Sequence, residues 1–422
     1  ILFSSWFTIF SINYDFAVDY ALENQASCEA IPVNGIWDSG TCIINDMTII
    51  NGDTMTINSP VINNGTIIDN GIITNSNTLT NNGVLNSNQG SIYNEGLLTN
   101  TGTYTTISTF NNNMFINSGT VESFDVFINN GIFKFSLPTG QWTNQNQALS
   151  NEFGQVSFFG TMDTEFDLTT FGFIQPDLYV LDGDTLQLGA SSTLLIPYYI
   201  NFINNGTITN DGTITNDGIL TQLTGNIFDN GSLTNNGSII IHGTSNFEYD
   251  GELINHNSIM NNGTIQNNGG VLIQSGSNAE FINNGGFTPN SSGSILIGEN
   301  TLFENNNVVT LHGDVTNNGM IENTGDFEIL GDTLTNNGLI TMSNASVFLI
   351  SNGGTLINTK DGRMITEIDI PLNTITNLNY FYNYGSIINL DDLTNDGTFT
   401  NEGTITIEKS GTMYTNTGES IN

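Results

Sequence analysis

Residues 210–221 read NDGTIT NDGILT, two copies of one six-residue unit, and that unit decides the fold. Each copy opens on Asn-Asp-Gly, residues that accept the left-handed backbone a sharp corner is expected to need. Thr-Ile-Thr then alternates with the period-two rhythm of a half-buried strand. Ile208 and Ile214 are expected to point inward, while Thr207, Thr209, Thr213 and Thr215 face water. Like residues stacked on like would let corner Asn side chains form hydrogen-bonded ladders along the axis.

The unit recurs at a fixed stride. Gly206, Gly212 and Gly218 step by six, and Gly206–Gly225, Gly212–Gly231 and Gly218–Gly237 each step by 19. The same 19 separates Gly52, Gly71 and Gly90, Gly83 and Gly102, Gly251 and Gly270, and Gly319 and Gly338. Three units of six plus one residue make 19, one turn of a three-sided coil, and a period near 20 marks a solenoid. The expected fold is therefore all-β: a parallel β-helix of about 19 residues per coil. Asn-Gly also marks antiparallel hairpins, but hairpins need no register that returns at 19.

Composition narrows the function. Lys134, Lys360, Arg363 and Lys409 stand against 41 acidic residues, a formal charge of −37. Such a surface repels phosphate backbones and anionic headgroups, so neither nucleic-acid binding nor a polybasic membrane contact is expected. No apolar run reaches the length of a membrane span, so no membrane insertion is expected. The charge serves solubility; surface Ca2+ bridging neighbouring molecules is the alternative. Hydrophobic residues at 37%, held in strict register, separate this chain from disordered polar tracts.

The chain falls into five parts. Residues 1–23 carry an extended strand whose apolar face, Ile12, Tyr14, Phe16, Val18, Tyr20 and Leu22, alternates with Asn13, Asp15, Ala17, Asp19 and Ala21. The preceding ILFSSWFTIFSI is apolar enough for part of a signal peptide, without a basic n-region or a clear cleavage site. Residues 24–44 read as a cap holding Cys28 and Cys42. A disulfide closing so short a loop would contribute about 3 kcal/mol and fit an oxidising, extracellular setting; two free thiols are the alternative. Residues 45–135 and 178–422 are two solenoid runs, together about 18 coils at this period. Between them, 136–177 is Phe-rich (Phe153, Phe158, Phe159, Phe166, Phe171, Phe173), either an inserted lobe or aromatic-filled coils. Asn51-Gly-Asp-Thr-Met-Thr-Ile57 is echoed by Asp182-Gly-Asp-Thr-Leu-Gln-Leu188 at the start of the second run. The repeat persists almost to Asn422 without a stop signal. An open solenoid end and an unpartnered N-terminal strand would cancel if one subunit's strand completed the next.

The N-x-G-x-[IL] rhythm resembles the filamentous-haemagglutinin-like adhesins and related right-handed β-helices of microbial surface proteins. The NNGTI repeats behind a Cys-x(13)-Cys element also look like archaeal surface proteins. This resemblance covers 45–135 and 178–420 and implies a right-handed coil. The N-terminal strand resembles donor strands of pilus and thread subunits, in which main-chain pairing gives affinity. What the resemblance implies is a cell-surface structural protein polymerised head to tail.

Enzymatic β-helices need clustered carboxylates with a basic partner. Lys360-Asp361-Gly362-Arg363 with Glu367 reads equally as a solvated loop, and Asp163, Glu165 and Asp167 as the wet side of a strand. His242, His256 and His312 lack metal-ligand spacing. Acids beside Gly at Asp53, Asp184, Asp314, Asp326 and Asp332 read as corner caps ahead of Ca2+ ligands. No catalysis and no cofactor are expected. Seven sequons, at Asn64, Asn205, Asn230, Asn236, Asn262, Asn290 and Asn344, permit glycosylation. The alternatives are a monomeric adhesin stalk contacting a surface or glycan, and an ice-binding solenoid. Thr-x-Thr pairs occur at 54–56, 207–209, 213–215, 398–400 and 404–406, but 207 and 213 fall on different sides of one turn.

Overall fold

A computed structural model describes residues 19–30, 35–50, 52, 54–129, 132–137, 141–144, 155–162, 165–167, 177–243, 245–268, 270–276, 279–289, 293–343, 346–366, 374–388, 392–406, 413–416 and 419–421. The protein is a parallel β-solenoid of about 16 turns with about 19 residues per turn and almost no helix. It divides into two compact units, residues 1–133 with 139–154, and 134–138 with 155–422.

In the second unit the coil has three sides. Thr207–Asn210 pairs with Asn226–Asp229 one turn on, Thr213–Asn216 with Ser232–Asn235, and Ile219–Gln222 with Ser238–Ile241. Each strand alternates half-buried and buried positions, and Ile208 and Ile214 are 1% exposed, as the alternation requires. The turn is not constant. Asn201 pairs with Ile219, 18 residues on, whereas Val347 pairs with Thr374, 27 residues on. Extra residues sit in corners between strands, so fewer turns fit the chain than a strict 19 allows.

The alternation that buries Ile214 also buries the residue two places on. In strand after strand the fourth position is a fully buried Asn: Asn216, Asn235 and Asn255 on one side, Asn261, Asn283 and Asn305 on another. An amide moved out of water without partners costs a few kcal/mol, so these residues hold only because they are bonded. Asn216 Nδ2 donates to Asn235 Oδ1 at 2.7 Å and to the Ser238 carbonyl at 3.0 Å. Asn235 Nδ2 repeats both bonds, to Asn255 Oδ1 at 2.8 Å and Ser258 O at 3.0 Å. The columns are directional. Asn63 donates to Asn81, Asn81 to Asn100 and Asn100 to Asn117 in the first unit. Asn261, Asn283, Asn305 and Asn323 do the same in the second, always toward higher residue number.

Both units start their columns on aliphatic residues. Ile44, Ile50 and Ile57 pair with Asn63, Asp69 and Asn75 in the first, and Val180, Leu188 and Ile196 with Asn204, Asn210 and Asn216 in the second. The echoed segments thus play one role, since Ile57 and Leu188 both lie beneath a buried Asn. Asn63 Oδ1 and Asn216 Oδ1, each stacked on an Ile, are buried without a donor, whereas Asn75 Oδ1 on Ile57 accepts from Asn77 N at 3.4 Å.

The repeat glycines correct one expectation. Left-handed φ occurs at Gly40, Gly52, Gly160, Gly183, Gly276, Gly331 and Gly353, not at the glycines of the six-residue unit. At Gly237 a Cβ would overlap the Gly218 carbonyl oxygen of the coil below, and at Gly102 that of Gly83. Close approach of stacked backbones, not corner twist, requires Gly there.

Above the Asn columns the second strand position fills the interior with aliphatics and stacked rings. Phe281 and Phe303 stack at 5.0 Å, Phe327 and Phe348 also at 5.0 Å. Phe158, from the Phe-rich stretch, is buried between Phe135 and Phe202, 5.6 and 6.4 Å away. Its part of that stretch is aromatic-filled coil. Phe153, Phe171 and Phe173 lie outside the described residues.

Candidate functional site

The first coil is closed by its own chain. Asn24 caps the short helix α1 (Gln25–Glu29), its side chain accepting from Ser27 N at 3.1 Å while Ser27 Oγ accepts from Asn24 N at 3.3 Å. That reciprocal cap sets Cys28 inward, where it forms a disulfide with Cys42, Cα to Cα 5.6 Å. The staple expected from the sequence is present. Strand β1 (Asp19–Leu22) pairs with β5 (Thr54–Ile57), with β2 (Ile36–Asp38), β3 (Thr41–Ile44) and β4 (Met47–Ile50) between them in the chain. The pairing is parallel, Tyr20 with Met55 and Leu22 with Ile57, and Leu22 is fully buried. This corrects the N-terminal strand at its end. Tyr20 and Leu22 belong to a rung of their own chain, because β5 offers them a sheet edge within the same unit. Ile12, Tyr14, Phe16 and Val18 lie outside the described residues.

The described sequons sit on corners. Asn64, Asn230, Asn236 and Asn262 are exposed, Asn205 is half-buried, and Asn290 and Asn344 lie outside the described residues. The exposed ones form outer rows. Asn64 Nδ2 donates to Asn45 Oδ1 at 3.1 Å, Asn230 Nδ2 to Asp211 Oδ1 at 2.9 Å, and Asn236 Nδ2 to Asp217 Oδ1 at 2.7 Å. These bonds run toward lower residue number, opposite to the buried columns. A glycan would occupy the nitrogen that makes them.

The second unit carries a groove of about 590 Å³. Its floor is Leu302, Met320 and Leu339, stacked in register, with Glu280 paired below Leu302 and Arg363 above Leu339. Tight corners at Gly319 and Gly338 lie between longer ones bearing Asn300 and Asp361, and this difference in corner length makes the notch. An apolar strip ending in a carboxylate and a guanidinium can bind; it holds no nucleophile with a base. Arg363 thus lines a surface, not a bare loop, while Glu367 lies outside the described residues.

Other candidate residues do not converge. Among the described residues no three His, Cys, Asp or Glu side chains are placed to hold a metal ion, and no helix is long and apolar enough to cross a membrane. Glu165 and Asp167 share the strand Glu165–Asp167; Asp163 and Asp53 lie outside the described residues. Asp184 pairs with Lys134 at 2.8 Å, and Lys134 Nζ stands 5.7 Å from the Phe159 ring centroid. Asp314 Oδ1 accepts from Thr333 N at 3.1 Å, a bond between the first residues of two strands. Thr213 and Thr215 stack on Ser232 and Thr234, but the next rung brings Glu252 and Ile254, which ends that Thr row.

Among the described residues, two carboxylates replace amides in the buried columns. Asp69 accepts from Ser87 Oγ at 2.7 Å and Gly71 N at 2.9 Å. Burial pushes its pKa up, opposed by those two bonds. Asp229 accepts from Asn210 Nδ2 at 2.6 Å, and its Oδ2 is buried without a partner. Burial raises its pKa to about 6, against the lowering effect of Asn210 and the Gly231 amide. The Asn ladders were expected from the sequence as corner features; their burial, and the acids within them, were missed, although Thr-Ile-Thr-Asn places Asn on Ile's own side by the same period of two.

No family model, curated protein or solved structure matches the chain.

Proposed function

We propose that this chain is a non-enzymatic, extracellular structural protein of the cell surface, a subunit that joins its neighbours head to tail through its N-terminal segment. The observation that carries this reading is β1. It is the outermost strand of its sheet, and the alternating stretch Ile12–Val18 is joined directly to it. A sheet edge pairs readily with another chain, and an apolar strand buried there would remove hundreds of Å² of apolar surface, roughly 5–10 kcal/mol before ordering is counted. The buried disulfide suits an oxidising compartment, and the acidic surface suits a polymer kept from lateral clumping.

A second reading, an adhesin stalk, draws support from Tyr198 and Tyr199, 81% and 43% exposed on one corner with rings 5.3 Å apart. Paired exposed rings suit contact with a surface or glycan. Negative-stain microscopy distinguishes the two. The full chain should form fibres, and deletion of residues 1–18, which spares β1, should leave isolated particles with an unchanged β-sheet spectrum. Isolated particles from the full chain would favour the stalk. Normal fibres from the truncated chain would remove the donor strand and leave stacking of coil ends as the mechanism.

A further inference from the structure

The most frequent reactive element of this molecule is the Asn-Gly dipeptide. In an unstructured chain such a pair loses its amide spontaneously. The Gly nitrogen attacks Asn Cγ, a new C–N bond forms, ammonia leaves with the Gly proton, and water opens the cyclic imide to Asp or to its β-linked isomer. The net change is one water consumed and one ammonia released. The reaction requires a Gly N–H that is free to turn toward the Cγ of its own neighbour.

Stacked corners deny both reactants that freedom. The amides of Gly65, Gly83, Gly231, Gly237 and Gly338 donate one coil back to the carbonyls of Ile44, Asn63, Asn210, Asn216 and Asn317, at 3.1, 3.0, 3.0, 2.9 and 3.0 Å. The preceding side chains are held as well. Asn64, Asn82, Asn230, Asn236 and Asn337 donate to corner oxygens of the same lower coil at 3.1, 3.0, 2.9, 2.7 and 2.9 Å. Nucleophile and electrophile both face the neighbouring coil instead of each other.

Asn352-Gly353 is built differently. It is the exposed part of a three-residue corner between Val347–Ser351 and Thr355–Asn358, with φ of 44° at Asn352 and 95° at Gly353. Among the described residues nothing accepts from the Gly353 amide; the turn is closed by Gly354 N donating to Ser351 O at 2.8 Å.

We propose that Asn352-Gly353 is a self-modification site at which the folded protein converts an amide to Asp or isoaspartate, and that stacking shields those five corners from the same chemistry. Asp already occupies equivalent stacked corners at Asp211, Asp217 and Asp396, so the acid itself fits.

The test is peptide mapping of the full chain after incubation at mildly alkaline pH, folded and in concentrated urea. In the folded sample Asn352 should convert at least about tenfold faster than the five stacked residues, a barrier difference of about 1.4 kcal/mol. In urea all six should converge. An acidic species in ion exchange should appear with time and be abolished in Asn352→Gln. A stacked corner converting as fast as Asn352 in the folded sample would overturn the proposal, as would an Asn352→Gln protein that acidifies at the normal rate.

Discussion

Asn235 and Asn236 are adjacent in the chain and make side-chain bonds of nearly equal length, yet they sit in opposite worlds. Asn235 is fully buried and donates to Asn255 at 2.8 Å, one coil up. Asn236 is exposed and donates to Asp217 at 2.7 Å, one coil down. Water can replace every bond that Asn236 makes and none that Asn235 makes. Geometry alone therefore says little about a ladder's contribution; access of water decides it.

The largest expected effect is on the inner side of that comparison. Asn235→Ala opens an apolar gap that takes the acceptor from Asn216 Nδ2 and a donor from both the Ser258 carbonyl and Asn255 Oδ1, the last keeping only Asn257 N. Each orphan costs about 1–3 kcal/mol, so urea denaturation should show a loss of about 3–4 kcal/mol; a loss no larger than that of Asn236→Ala would erase the distinction. Gly237→Ala comes next. It pushes a methyl group into the Gly218 carbonyl, and a cost of about 2–3 kcal/mol is expected for such overpacking. A neutral result would show that the corner can open without resistance.

Asp229→Asn should move stability the other way. The folded pKa of Asp229 is raised to about 6, so the fold binds a proton that the unfolded chain releases, and its stability falls as pH rises from about 4 through 6. At pH 7 the substitution should gain about 1–3 kcal/mol, and the gain should vanish near pH 4. A thermal melt series that finds equal gains at both pH values would show that the carboxylate is not the cause. Asn236→Ala is the smallest, within about 0.5 kcal/mol of wild type, as for other exposed sites.

The strand rhythm was legible because it repeats. Ile208 and Ile214 lie inside, Thr207 and Thr213 half outside, and the three sides follow from six-residue spacing. The groove was not legible, because it arises where the repeat fails, at corners of unequal length around Gly319 and Gly338. Nor does sequence pattern tell β1 its partner. An alternating strand with one greasy face fits any sheet edge, and β5, more than thirty residues on, is one that parallel coiling brings beside it. Glycine misled for a different reason. The same residue answers two demands, positive φ and close approach, and a sequence cannot say which is being made.

The directional columns have an electrical consequence. Each side-chain amide carries a dipole comparable to that of a peptide, about 3.5 D, and the buried ones point one way along their stacks while the corner amides point the other. The corner set lies in high dielectric and is screened; the buried set lies in low dielectric and is not. Each unbroken column such as Asn261 to Asn323 therefore has a positive and a negative terminus. Two such columns continue one another only when the positive terminus of one meets the negative terminus of the next.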